Sequence, residues 1–207
     1  MERRKCLIGG GAVALGLAGV PLAVPPVAAR DTGPAEGPGA DDGAQGQGAA
    51  GTGAALRRLA VMDVELVDDQ NTPATRAATE ARLPRATAQL QQELAARGLY
   101  RVVDPAPARS LQQRLRAQQA YLYRCADCAE QVGRLLGVDF VMTAWVQKVS
   151  ELILNFNVEI HEVGTGRIVL SKSVDLRGNE DASWTRAVRY LVRDMAEKRA
   201  RNAHYGL

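Results

Sequence analysis

Two cysteines three residues apart, in Cys125-Ala-Asp-Cys128, are the side chains of this 207-residue chain whose types and spacing most directly offer chemistry. They stand just before a stretch patterned as a helix, where free amides and the helix dipole stabilise a thiolate. Covalent haem attachment requires a histidine directly after the second cysteine, and Ala129 stands there. A zinc site needs two further ligands, and the chain has only His161 and His204 to add. A redox dithiol is compatible with the spacing, although the βαβ setting near the chain start of a thioredoxin pattern is missing. A local disulfide, as an oxidising compartment would form, is the reading favoured for Cys125 and Cys128.

Other polar residues offer less. Asp63, Glu65, Asp68 and Asp69 surround one short apolar run. Without convergent partners they read as solvated carboxylates. His161 lies on a polar strand face and reads as a surface residue that titrates near neutrality. There is no Gly-rich phosphate loop, no Gly-x-Ser-x-Gly and no His-Glu-x-x-His. No catalytic residue, bound metal or cofactor is therefore expected. The net charge of +3 is spread among interspersed acids and bases, without the clustered basic face of a nucleic-acid binder. A candidate binding face remains: Trp145, Asn155, Asn157 and Glu159 on neighbouring strands, with Trp184 and Arg186 further on, combines aromatic rings with amides and charges suited to recognition.

These residues need a scaffold, and hydrophobic periodicity supplies one. The run 59–67 suits a central strand. Residues 79–97 carry Leu83, Leu90 and Leu94 near helical spacing up to Gly98, with the helix proper starting at Pro84. A second strand covers 100–103. A polar helix over 108–123 turns Leu111, Leu115 and Leu122 inward, and another spans 128–136 and stops at Gly137. The period then changes to two. Runs 139–150, 152–163 and 167–178 read as an antiparallel meander, the last two joined by a hairpin at Gly164-Thr-Gly166. Leu152, Leu154, Phe156, Val158 and Ile160 form the buried face of the middle run, and Ile168, Leu170, Val174 and Leu176 repeat the pattern in the next. Trp184, Val188, Leu191, Val192 and Met195 define a last amphipathic helix covering the sheet. The expected fold is an α/β (α+β) sandwich with a mixed sheet of about five strands, in the order βαβααβββα.

The chain start reads as an address. A basic Met1–Lys5, an apolar stretch from Cys6 to Val24 and small residues at Val27-Ala28-Ala29 follow the order of a signal peptide, here residues 1–29. Arg3-Arg4 leaves both the general secretory and the twin-arginine route open. Residues 30–56 are rich in Gly, Ala and Pro with almost no large apolar side chain, as in a disordered linker. Residues 57–207 are the length of one domain. A periplasmic protein with no stable membrane anchor after cleavage is expected.

Three segments carry a resemblance: Cys125 through the Leu-Leu-Gly-Val-Asp-Phe-Val of 135–141, Trp145-Val-Gln-Lys-Val-Ser150 with the following Glu-Leu-Ile-Leu-Asn155, and Val174-Asp-Leu-Arg-Gly-Asn179 through Trp184-Thr-Arg186. Over roughly residues 57–200 the chain resembles an exported bacterial family of unknown function, some of whose members are encoded near quinone-dependent alcohol dehydrogenases. More loosely, it is similar to the amino-terminal domain of TolB, the curli secretion subunit and the lipoprotein activator of penicillin-binding proteins. That likeness implies an accessory module that binds another envelope or periplasmic protein, with no nucleic-acid partner. The alternative is a thiol-redox protein or a metal or cofactor chaperone using Cys125 and Cys128.

Overall fold

The computed structural model describes residues 55–68, 70 and 73–207. The expected signal peptide and all but the last two residues of the expected linker lie outside them. The sheet is mixed, as the sequence indicates, but has six strands rather than five. Strands β1 (Arg58–Val61), β2 (Glu65–Asp68) and β3 (Arg101–Val103) come from the first half of the described residues, and β4 (Phe140–Lys148), β5 (Ile153–Glu162) and β6 (Ile168–Arg177) from the second. Their order is β3-β1-β4-β5-β6, with β2 beside β4 in line with β1. The pairs β1–β3, β1–β4 and β2–β4 are parallel. The β4–β5–β6 meander is antiparallel.

The extra strand arises because the single run expected over 59–67 is broken. Val64 donates its N–H to Thr87 Oγ1 at 3.0 Å instead of continuing the ladder. Asp63 swings out to Arg116 at 3.1 Å. A helix the hydrophobic pattern does not signal, α1 (Pro73–Glu80), precedes α2 (Leu83–Ala96). Pro84 lies in the first turn of α2, where its missing N–H costs no hydrogen bond. The polar helix α3 (Arg109–Gln118) is shorter than expected, and Leu122 belongs instead to a separate 3-10 turn, Leu122–Arg124. Helix α4 (Cys128–Leu136) ends at Gly137 in the left-handed conformation, φ 60°.

Helices α2 and α5 (Asp181–Arg201) cover one face of the sheet. The main core lies there, with Leu154, Phe156, Val158 and Ile160 of β5 fully buried against Leu90, Val188, Leu191 and Val192. Leu152 is a correction: it sits in the turn before β5 and is 74% exposed. Ile168, at the start of β6, is also exposed. On the opposite face α4 packs Cys128 and Val132 against Ala60, Met62 and Val141. The approach is close at Gly133, where a Cβ would come within 2.3 Å of Val163 Cγ2. Helix α4 packs on β4 and reaches the end of β5, and α3 packs on α4, whereas the odd-numbered residues Ser171, Ser173, Asp175 and Arg177 of β6 are exposed on this face.

Candidate functional site

Register brings four of the sequence-selected residues onto this second face. Trp145 on β4 stands opposite Asn157, and Asn157 opposite Ser173. One row along, Asn155 stands opposite Asp175, and its amide donates to that carboxylate at 2.5 Å. Glu159 lies 3.8 Å from His161 Nε2, and Ser171 Oγ donates to Glu159 at 3.4 Å. His161 is half-enclosed beside Thr143 Oγ1, 3.2 Å away. Burial pushes its pKa below the ordinary value, with the Glu159 charge opposing, so the ring is neutral at neutral pH.

The aromatic centre is larger than the sequence suggests. The Tyr123 ring stacks on Trp145 with centroids 4.1 Å apart and planes 10° from parallel. Tyr121 lies against Tyr123 at 5.6 Å. The Arg124 guanidinium sits 5.4 Å from the Tyr123 centroid and 5.8 Å from that of Tyr121. Its Nε donates to the Tyr123 hydroxyl at 2.9 Å. Glu65 holds this group in place. It stands opposite Trp145 in the β2–β4 register, and its two carboxylate oxygens accept the N–H groups of Leu122 and Tyr123, each at 2.9 Å. Glu65 thus caps the 3-10 turn that presents Tyr123.

The cysteines close the other end of that turn. Cys125 and Cys128 are joined, Sγ–Sγ 1.98 Å, tying the residue after Arg124 to the first residue of α4. Cys128 is fully buried and Cys125 partly exposed. The Asp127 carboxylate lies 3.5 Å from Cys125 Sγ and accepts from the Gln131 side chain at 2.9 Å. The two sulfurs and this carboxylate lie close enough together to hold a soft metal ion. Sulfurs bonded to each other offer no thiolate, so that chemistry requires prior reduction.

Trp184 and Arg186 are not brought to this face. The Trp184 ring is buried under α5, edge-on to Phe156, with its N–H donated to Asn179 Oδ1 at 3.0 Å. Arg186 is exposed at the rim between α5 and β6. The acidic cluster also separates. Asp68 is a correction to the solvated reading: it is buried with Lys148, and the two form an ion pair of 3.3 Å. Lys148 Nζ has three partners, Asp68, Thr75 Oγ1 at 3.0 Å and Glu151 at 2.6 Å. Burial alone would lower the lysine pKa, but the hydrogen bonds to Glu151 and Asp68 outweigh it and hold the value up. Hydrogen bonds from Lys148, Thr75 and Asn179 hold the Glu151 carboxyl at about 2. Asp69 lies outside the described residues.

A family model described as a protein of unknown function (DUF2380), under the family name DUF3280, matches residues 57–195. The chain belongs to this family. The match spans β1 to most of α5, and so the whole Trp145–Tyr123 face. No curated protein matches the chain. Among solved structures, the LpoB C-terminal domain from Salmonella enterica is similar at 18% identity and TM-score 0.44, covering 61% of this chain and 87% of that one. E. coli LpoB, determined by NMR, is 17% identical with TM-score 0.42, covering 85% and 96%. TolB from Acinetobacter baumannii is 10% identical with TM-score 0.41, covering 72% of this chain and 29% of its own. No helix of the described residues is long and apolar enough to cross a membrane.

Proposed function

We propose that this DUF3280 chain is an exported accessory module that binds another envelope or periplasmic protein through the polar β5–β6 face beside Trp145. The observation that carries the proposal is the Trp145–Tyr123–Tyr121 cluster with Arg124, posed by Glu65 at one side of the partly exposed polar face of β5 and β6. Aromatic rings and arginine supply much of the energy at protein interfaces, where a rigid, partly shielded group loses little freedom on binding. Asn155, Asn157 and Glu159 supply directional hydrogen bonds beside it. Cys125 and Cys128 act in this reading as an oxidised staple that holds the far end of the Tyr123 turn.

The test is crosslinking of the tagged chain in its own periplasm, identification of the attached protein, and reconstitution of the pair from purified components. Trp145→Ala and Tyr123→Ala should each weaken the reconstituted pair about tenfold or more. Undiminished binding by both variants would overturn the choice of face. The thiol-redox alternative has its own arm, because Cys128 is the first residue of α4, where a thiolate is stabilised. A buried disulfide that resists mild reductant and releases no metal favours the staple. A readily cycling dithiol, with a reductase activity lost in Cys125→Ser, favours the alternative.

A further inference from the structure

We propose that the cleft between β6 and α5 takes an extended, acidic segment of a partner protein as an added strand, an inference that rests on the protein-binding reading above. Strand β6 is the last in the sheet and pairs over its length with β5 alone. The N–H of Gly178 donates to Leu152 O at 3.0 Å, which makes that position a hydrogen-bonded pair. Antiparallel alternation then turns the N–H and C=O groups of Ser171, Ser173, Asp175 and Arg177 away from β5. The Arg177 carbonyl agrees with this, since it accepts from Ser183 Oγ of α5 at 3.0 Å. Ser171, Ser173 and Asp175 present their backbone groups to the open edge, a template for strand addition.

Beside that edge lies a cleft of about 580 Å³. Val174 and Leu176 line it from β6, and Ala187 and the half-exposed Tyr190 from α5. Alternate side chains of an added strand would enter it, because they project from one face at every second residue. Among the described residues the lining holds one carboxylate without an ion pair, Asp175, which accepts from the Asn155 amide, against two such guanidiniums, so the charge left over is positive by one. Lys172 is paired with Asp194, Arg189 with Glu93 and Arg193 with Glu197. Arg177 and Arg186 form no ion pair among the described residues, and Arg186 donates to Ser183 Oγ at 3.0 Å. Both border the cleft at the end where α5 begins. A carboxylate on the incoming segment would meet the Arg186 guanidinium on the α5 side of the edge, with Arg177 on the other face of the strand. A second copy of β6 would bring Arg177 and Asp175 together, with Lys172 paired to its own Asp194, and thus no net negative charge, so the charge favours a different, acidic strand.

The test uses the purified full chain and a fluorescein-labelled octapeptide, Thr-Val-Thr-Val-Thr-Val-Thr-Asp, read by fluorescence anisotropy. The control peptide ends in lysine amide. The acidic peptide should bind, and the control about tenfold or more weaker. Ser173→Pro removes an outward N–H without touching the β5 ladder and should weaken the acidic peptide by a similar factor. Arg186→Ala should do the same, and it decides the matter if Ser173→Pro fails to give the wild-type circular dichroism spectrum. Trp145→Ala should leave peptide binding unchanged. No binding at millimolar peptide, equal binding of both peptides, or indifference to Arg186→Ala would overturn the inference. So would a concentration-dependent dimer lost on Ser173→Pro, which would assign the edge to a second copy. A reconstituted partner that depends on Trp145 while the peptide fails to bind would sink the edge site alone. Peptide binding with no partner dependence on Trp145 would sink the face alone.

Discussion

Replacing Lys148 with methionine removes the only ammonium group from a buried cluster while keeping most of the side-chain volume. Lys148 and Asp68 are each 1% exposed at the side chain and 3.3 Å apart. All three ammonium protons have an acceptor, in Asp68, Thr75 and Glu151. Breaking a buried pair from one side costs about 3–5 kcal/mol, chiefly because the remaining charge stays desolvated. For a domain near 150 residues this corresponds to a fall of roughly 6–20 °C in Tm. The cluster links β2, α1, β4 and the turn before β5, so the loss should appear in the global transition. Lys148→Met combined with Asp68→Asn should recover much of the stability, since replacing both members of a buried pair is often close to neutral. Chemical denaturation of the four proteins of the cycle measures the coupling directly. If Lys148→Met alone costs less than about 1 kcal/mol, or the double variant is no better than the sum of the singles, the argument fails.

Three further outcomes follow from other parts of the molecule. Glu151 has its folded pKa lowered to about 2 from an ordinary 4.5. For such an acid the stabilisation is present above 4.5 and lost as pH falls from there toward 2, so acid unfolding of Glu151→Gln should be flatter across that window than wild type. Glu65→Gln removes a carboxylate that accepts two backbone N–H groups, and should cost about 1–3 kcal/mol and change the near-UV circular dichroism of the Tyr123–Trp145 stack. An unchanged near-UV spectrum would show that Glu65 does not pose Tyr123. Gly133→Ala drives a methyl toward Val163 and Val141, at 2.3 and 2.9 Å, and should destabilise by about 1–3 kcal/mol in a thermal melt, whereas a neutral effect would mean that α4 can lift from the sheet without cost.

What could be read from the sequence had local causes. Helix α4 carries its stop signal in Gly137 and its apolar spacing before it, and the meander shows a period of two through ten residues of β5. Helix α1 shows no comparable apolar stripe. It is placed by partners distant in sequence, with Thr79 Oγ1 accepting from Asn179 at 2.7 Å. The break at 62–64 is equally silent, because Asp63 and Glu65 alternate with apolar residues as they would in an unbroken strand and the interruption depends on the Thr87 hydroxyl of a later helix. Asp68 reads as solvated since its partner lies 80 positions away. Trp145 and Trp184 are the same residue type, and which one meets solvent is decided by the face each element turns to the sheet. Glu65 passed as one carboxylate among four. Its position opposite Trp145 exists only once β2 and β4 are in register.

The placement of β4 in the sheet also orders the assembly of the chain. The strand pairs with β1, β2 and β5, yet Leu59 meets Phe140 only after 81 intervening steps, while Lys148 meets Leu154 after six. Loop closure makes distant pairings slow relative to hairpins. On this account β4, β5, β6 and α5 collapse first into a half-sheet, and the amino-terminal strands dock on it afterwards. As the chain is made from its amino terminus, β2 therefore has no strand partner and β1 has only β3 until β4 arrives to bring them into one sheet.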